Sequence, residues 1–171
     1  MSSSEKSLSD DPLQDIPSLE DFKFGVVVSD WNDKITNALR DGCLELLRNK
    51  GVKEENLHTL QVPGSYELPL GARLLDDKHS LDALICLGCV VKGETRHDEY
   101  INQAVSSALM QLGVMKSKPY VFGLLTCETM QQAIDRAGGK YGNKGVECAI
   151  TAIQMVLIRR LVKQPGGKIG F

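Results

Sequence analysis

Apolar residues along this chain come in two rhythms. FKFGVVVSD (22–30), LHTLQV (57–62), ALICLGCVV (83–91) and PYVFGLLTC (119–127) are short runs dense in β-branched residues, which predicts four strands. The third is apolar throughout, as in a strand covered on both faces. Between the runs the spacing turns helical. In DKITNALRDGCLELLRNKG it carries Ile35, Leu39, Cys43, Leu46 and Leu47, with Asn32 or Asp33 as a candidate cap and Gly51 as a stop. SYELPLGARLLDD predicts a second helix starting near Ser65 or Tyr66. A third follows from Ile101, Val105, Leu109 and Leu112. ETMQQAIDRAG gives a fourth, stopped at Gly138-Gly139, and residues 146–162 a long last one. Strands alternating with helices predict an α/β domain over residues 22–162, its mostly parallel sheet covered on both faces. Residues 1–21, rich in Ser, Asp and Pro, read as a flexible arm, and 163–171 as a loose tail.

Length and charge narrow the function. With 171 residues the chain can bury a real core, and its net charge of −2 offers no general attraction to nucleic acid or an anionic membrane. No run approaches the ~20 apolar residues of a spanning helix and the polar start does not read as a signal peptide, so the expected location is cytoplasmic. Five cysteines are an odd set. Cys86 and Cys89 have C-x-x-C spacing, but they sit inside a strand-like run with no second pair to complete a zinc site. Buried, reduced thiols are the better reading, and no grouping predicts a metal.

The most unusual stretches fall where strands end, the edge at which parallel sheets bind ligands. In KGETRH (92–97), Gly93, Glu94 and Thr95 offer free amides, a hydroxyl and a helix dipole to an anion, with His97 beside them to move protons. Read alone, a helix capped by Thr95 explains it better. Trp31, the only tryptophan, suits a core position or a stacking platform equally well. In VPGSYE (62–67), Ser65 and Glu67 could grip a polyhydroxylated group, or a turn could simply lead into a helix. Arg136 and Lys144 flank a glycine-rich turn and could hold a phosphate, though solvated surface charge is their commoner fate. Neither G-x-G-x-x-G nor the P-loop pattern occurs.

Taken together, VPGSYELP, LGCVVKGETRHDEYI, FGLLT and RAGGKYGNKGVE resemble the 6,7-dimethyl-8-ribityllumazine synthase family, over about residues 24–160. The resemblance implies a flavodoxin-like three-layer α/β/α sandwich with a central sheet of four parallel strands, and a transferase of riboflavin biosynthesis that uses no cofactor. It implies homopentamers, in some members an icosahedral shell of sixty chains, with active sites between subunits. Trp31 falls on the stacking aromatic, which is phenylalanine in many members. Ser65, Tyr66 and Glu67 fall on the ribityl contact, and Cys89, Val90 and Val91 on the backbone that reads a pyrimidine edge. Glu94 and Thr95 fall on the phosphate contact, with Arg136 reaching it from across the interface and the Glu94 side chain expected to face away. His97 falls on the catalytic histidine, Lys144 on an assisting lysine and Phe122 on a pocket wall. Two readings compete with an enzyme: a lumazine- or flavin-binding module that has lost the chemistry, and a small flavodoxin-like redox protein. The first would lack His97 or the cation pair, and the second would need a hydroxyl-rich loop after the first strand.

Overall fold

A computed structural model describes residues 13–163. Four parallel strands form its sheet: β1 (Phe24–Ser29), β2 (Leu57–Val62), β3 (Ala83–Val91) and β4 (Tyr120–Cys127), in the order β2-β1-β3-β4. Five helices accompany them: α1 (Asp33–Asn49), α2 (Leu68–His79), α3 (His97–Lys116), α4 (Met130–Asp135) and α5 (Lys144–Lys163). Alternation along the strands sorts the core into two layers. Phe24, Val26, Ile85 and Leu87 pack with α1 and α5 residues such as Leu39 and Ile153. Val27, Leu84, Cys86 and Leu124 pack with α2 and α3 residues such as Leu75 and Val105. The result is the expected three-layer α/β/α sandwich.

Several local expectations change. Residues 1–12 and the tail from 164 onward lie outside the described residues, but the second half of the expected arm is held down. Leu13 and Leu19 are buried in the α1/α5 layer. The Asn56 amide donates to the Glu20 carbonyl at 2.6 Å, and Arg160 sits 5.4 Å over the Phe22 ring. The predicted glycine-rich turn is a small hairpin, β5 (Ala137–Gly139) with β6 (Gly142–Asn143), and α5 starts at Lys144 rather than two residues later. Asn143 explains the early start. Its side chain donates to the Ala38 carbonyl in α1 at 2.9 Å and accepts from the Gly145 N–H at 2.8 Å, locking hairpin, α1 and α5 together.

The cysteines follow the buried reading. All five are free and buried. Cys86 and Cys89 are an odd number of residues apart on one strand, so their side chains enter opposite core layers and cannot pair. Burial pushes both thiols up, Cys89 to about 12.

Strand lengths open the functional edge. β1 pairs with β3 only as far as Val28 opposite Leu87, while β3 continues along β4 to Val91 opposite Cys127. The last turn of β3 therefore has no strand on its β1 side. In parallel ladders alternate residues face alternate neighbours, so Cys89 and Val91 turn their amide edges toward that gap.

Candidate active site

The gap lies where the strand order reverses, between β1 and β3, the usual binding crevice of such sheets. A cavity of about 670 Å³ fills it. Ten of the residues given a candidate role in the sequence line it: Trp31 after β1, Ser65, Tyr66 and Glu67 after β2, Cys89, Val90 and Val91 on β3, then Gly93, Thr95 and His97. Four different loops and strand ends converge here, although each motif read alone favoured or allowed a structural role.

Each wall has a local cause. Trp31 is 72% exposed, which removes the core reading. Its N–H donates to the Pro63 carbonyl at 3.2 Å, tying the loop after β1 to the loop after β2. Ser65–Glu67 form one 3₁₀ turn ahead of α2. Ser65 is buried over Gly88, where a Cβ would come within 2.7 Å of the Ser65 Oγ; only glycine leaves that hydroxyl its place.

The KGETRH stretch departs from the cap reading. Arg96, not Thr95, is the residue before the helix, and no side chain caps α3. His97 is the first helical residue. The Lys92 N–H bonds the Cys127 carbonyl at 2.8 Å, but among the described residues no protein acceptor takes the amides of Gly93, Glu94 or Thr95. These three open amides lie just before a 20-residue helix, the kind of donor group an anion accepts from. Gly93 and Thr95 line the cavity whereas the exposed Glu94 does not.

Phe122 and Lys144 lie elsewhere. They line a second, apolar groove of about 830 Å³ between α3 and α5 along the β4 edge. Lys144 Nζ is 2.7 Å from Glu147 Oε2, and Arg136 stands over the Tyr141 ring at 5.8 Å. The first cavity thus has two carboxylates in its lining, Glu67 and Asp98, and no lysine or arginine. Asp98 and Ile101 were not foreseen as part of the lining; Asp98 was legible only as a favourable charge in a helix's first turn.

Residues 21–160 match the family described as 6,7-dimethyl-8-ribityllumazine synthase. The chain is similar to proteins of that name from Bacteroides fragilis, 51% identical over 79% of this chain and 94% of the relative. It is also similar to that of Cytophaga hutchinsonii, at 47% over 91% and 98%, and that of Porphyromonas gingivalis, at 42% over 94% and 100%. With the parallel sheet and the crevice at its reversal point, these matches make the chain a member of the 6,7-dimethyl-8-ribityllumazine synthase family.

Proposed function

We propose that this chain condenses 5-amino-6-(D-ribitylamino)uracil with 3,4-dihydroxy-2-butanone 4-phosphate to 6,7-dimethyl-8-ribityllumazine, releasing phosphate and water, the penultimate step of riboflavin biosynthesis. The observation that carries this reading is the open amide cradle at Gly93–Thr95 with His97 beside it, facing Trp31 across one cavity. The uracil stacks on Trp31 and presents its edge to the free side of β3 at Cys89–Val91. The ribityl chain runs along Ser65, Tyr66 and Glu67. The phosphate sits on the amides of Gly93, Glu94 and Thr95.

The chemistry needs little more. The ring amine attacks the ketone, and the carbinolamine loses water to give an imine. His97 carries protons in these steps, as an imidazole does near neutral pH. Phosphate leaves as a dianion and needs positive charge to receive it. Loss of phosphate leaves an enol that becomes a ketone. The ribitylamino nitrogen attacks that carbonyl, and a second water departs to close the ring. For this the site must hold the two substrates face to face, largely a matter of positioning.

The missing cations argue for a site shared between chains. A phosphate in the cavity of one chain meets Glu67 and Asp98 but no cation. Arg136, Lys144 and Phe122 of a neighbouring copy supply the cations and the second aromatic wall in a homopentamer. The apolar groove beside Phe122 is the surface that such a neighbour covers. A further assembly into a sixty-chain shell fits the short 137–143 hairpin, and the cytoplasm fits the composition.

Mixing the purified protein with both substrates and following lumazine absorbance tests the reaction. Product must form faster than in the uncatalysed mixture, and His97→Ala should lower kcat about a hundredfold. A rate equal to the uncatalysed one ends the enzyme reading in favour of a binding module.

A further inference from the structure

Asn32 stands at the helix-capping position of α1 and does not cap it. It is in the left-handed region (φ 62, ψ 44), and its side chain makes no bond to the helix. Instead its Nδ2 donates to the Cys89 carbonyl at 2.9 Å, 57 residues further along the chain. That bond spans the gap left where β1 stops pairing with β3. The left-handed turn is what directs the amide there, and asparagine is among the few non-glycine residues that adopt it readily.

Three bonds therefore converge around Trp31. Asp30 N–H donates to the Val62 carbonyl at 2.8 Å, Trp31 N–H to the Pro63 carbonyl at 3.2 Å, and Asn32 Nδ2 to Cys89. The first two tie the loop to β2. Only the third ties it to β3, the strand whose edge faces the cavity. The Trp31 side chain itself is mostly exposed, so packing does not hold it.

We propose that Asn32 is a positioning residue that sets the spacing between the Trp31 platform and the free edge of β3. By engaging the Cys89 carbonyl it also leaves the Cys89 N–H and the amide edge of Val91 as the open hydrogen-bonding positions in the gap. The platform and the edge then select a flat ring of one thickness and one edge pattern, the uracil under the reaction proposed above, on which the substrate assignment rests.

Asn32→Gly keeps the left-handed turn and removes the amide; Asn32→Asp keeps the shape and removes the donor. Trp31 is the only tryptophan, so its near-ultraviolet circular dichroism and fluorescence anisotropy report its immobilisation in the unliganded full-length protein. Both variants should lose the dichroic band and part of the anisotropy. In both, KM for the ribitylaminouracil should rise about five- to tenfold, the size of one lost hydrogen bond. KM for the butanone phosphate should stay within about twofold, as it binds on the other side of the cavity. An unchanged tryptophan signal in both variants overturns the inference, and so does an equal rise in both KM values. Should the wild-type protein form no lumazine, the reaction reading falls by itself, and the tryptophan signal still decides for or against the Asn32 bond.

Discussion

At the scale of single residues, the largest electrostatic commitment lies away from the cavity. Asp76 is 5% exposed and accepts from Lys118 Nζ at 2.5 Å, Tyr120 Oη at 2.8 Å and Leu81 N–H at 3.1 Å. Asp76→Ala would leave Lys118, itself 13% exposed, as a buried unpaired cation. The expected cost is about 3–5 kcal/mol, read from the urea midpoint, and Lys118→Met added to it should recover part of the loss. The cysteines make a second statement about stability. Burial raises Cys43, Cys86 and Cys89, and raises Cys148 to about 11. In the unfolded chain each thiol ionises near 8.5. Raised folded values mean that their stabilisation is complete below that pH and is lost as pH climbs toward the folded values. The denaturation midpoint should be level from pH 7 to 8 and decline by pH 10, with at most about 1.4 kcal/mol lost per pH unit for each thiol. Iodoacetamide at pH 8 should label none of the five in the folded protein.

At the scale of elements, Asn143 and Gly145 show how the hairpin is set between two helices. Asn143→Ala loses both bonds, and about 2 kcal/mol in thermal or chemical unfolding is expected. Gly145→Ala would drive a Cβ into the Leu39 carbonyl, prising α1 from α5 at a similar cost. Inner strands such as β3 were legible in the sequence because a run apolar on both faces has one comfortable home, the middle of a covered sheet; β2 lies at the sheet edge with Thr59 and Gln61 exposed. LHTLQV and ALICLGCVV match β2 and β3 end to end. Helix starts were less legible because this chain fixes them by distant bonds. Asn32 looks like a cap and bonds β3 instead, and Thr95 lies one residue too early to cap α3. The hairpin hid because its ladder is two pairs long and mostly glycine. The cavity's ten expected residues were legible because strand ends bring such stretches together. Lys144 and Phe122 were legible as types but not as neighbours, since no contact within this chain joins them to His97.

At the scale of the whole molecule, six exposed apolar residues gather at one place. Met110 and Val114 on α3, Phe122 on β4, and Met155, Ile158 and Val162 on α5 surround one groove, a surface that calls for a partner. Among the described residues no helix is long and apolar enough to cross a membrane. In the proposed pentamer this groove meets the cavity of the next chain, and light scattering should return five or sixty times the chain mass. The shared site makes a sharper prediction. His97→Ala damages one half of each site and Lys144→Ala the other. Unfolding and refolding the two inactive proteins together should restore about a quarter of wild-type activity, the chance that both halves of one interface are intact. Recovery no greater than the sum of the two separate proteins would mean that each site is built within one chain.

The separation of the two clefts also sets a condition on when catalysis exists at all. Under the proposed shared site, a chain diluted until it parts from its neighbours would keep its sheet, its open amides and its tryptophan, yet hold two halves of a reaction vessel facing in different directions. Turnover per chain then depends on how many chains are present, so specific activity should collapse on dilution at a concentration set by subunit affinity rather than by either substrate.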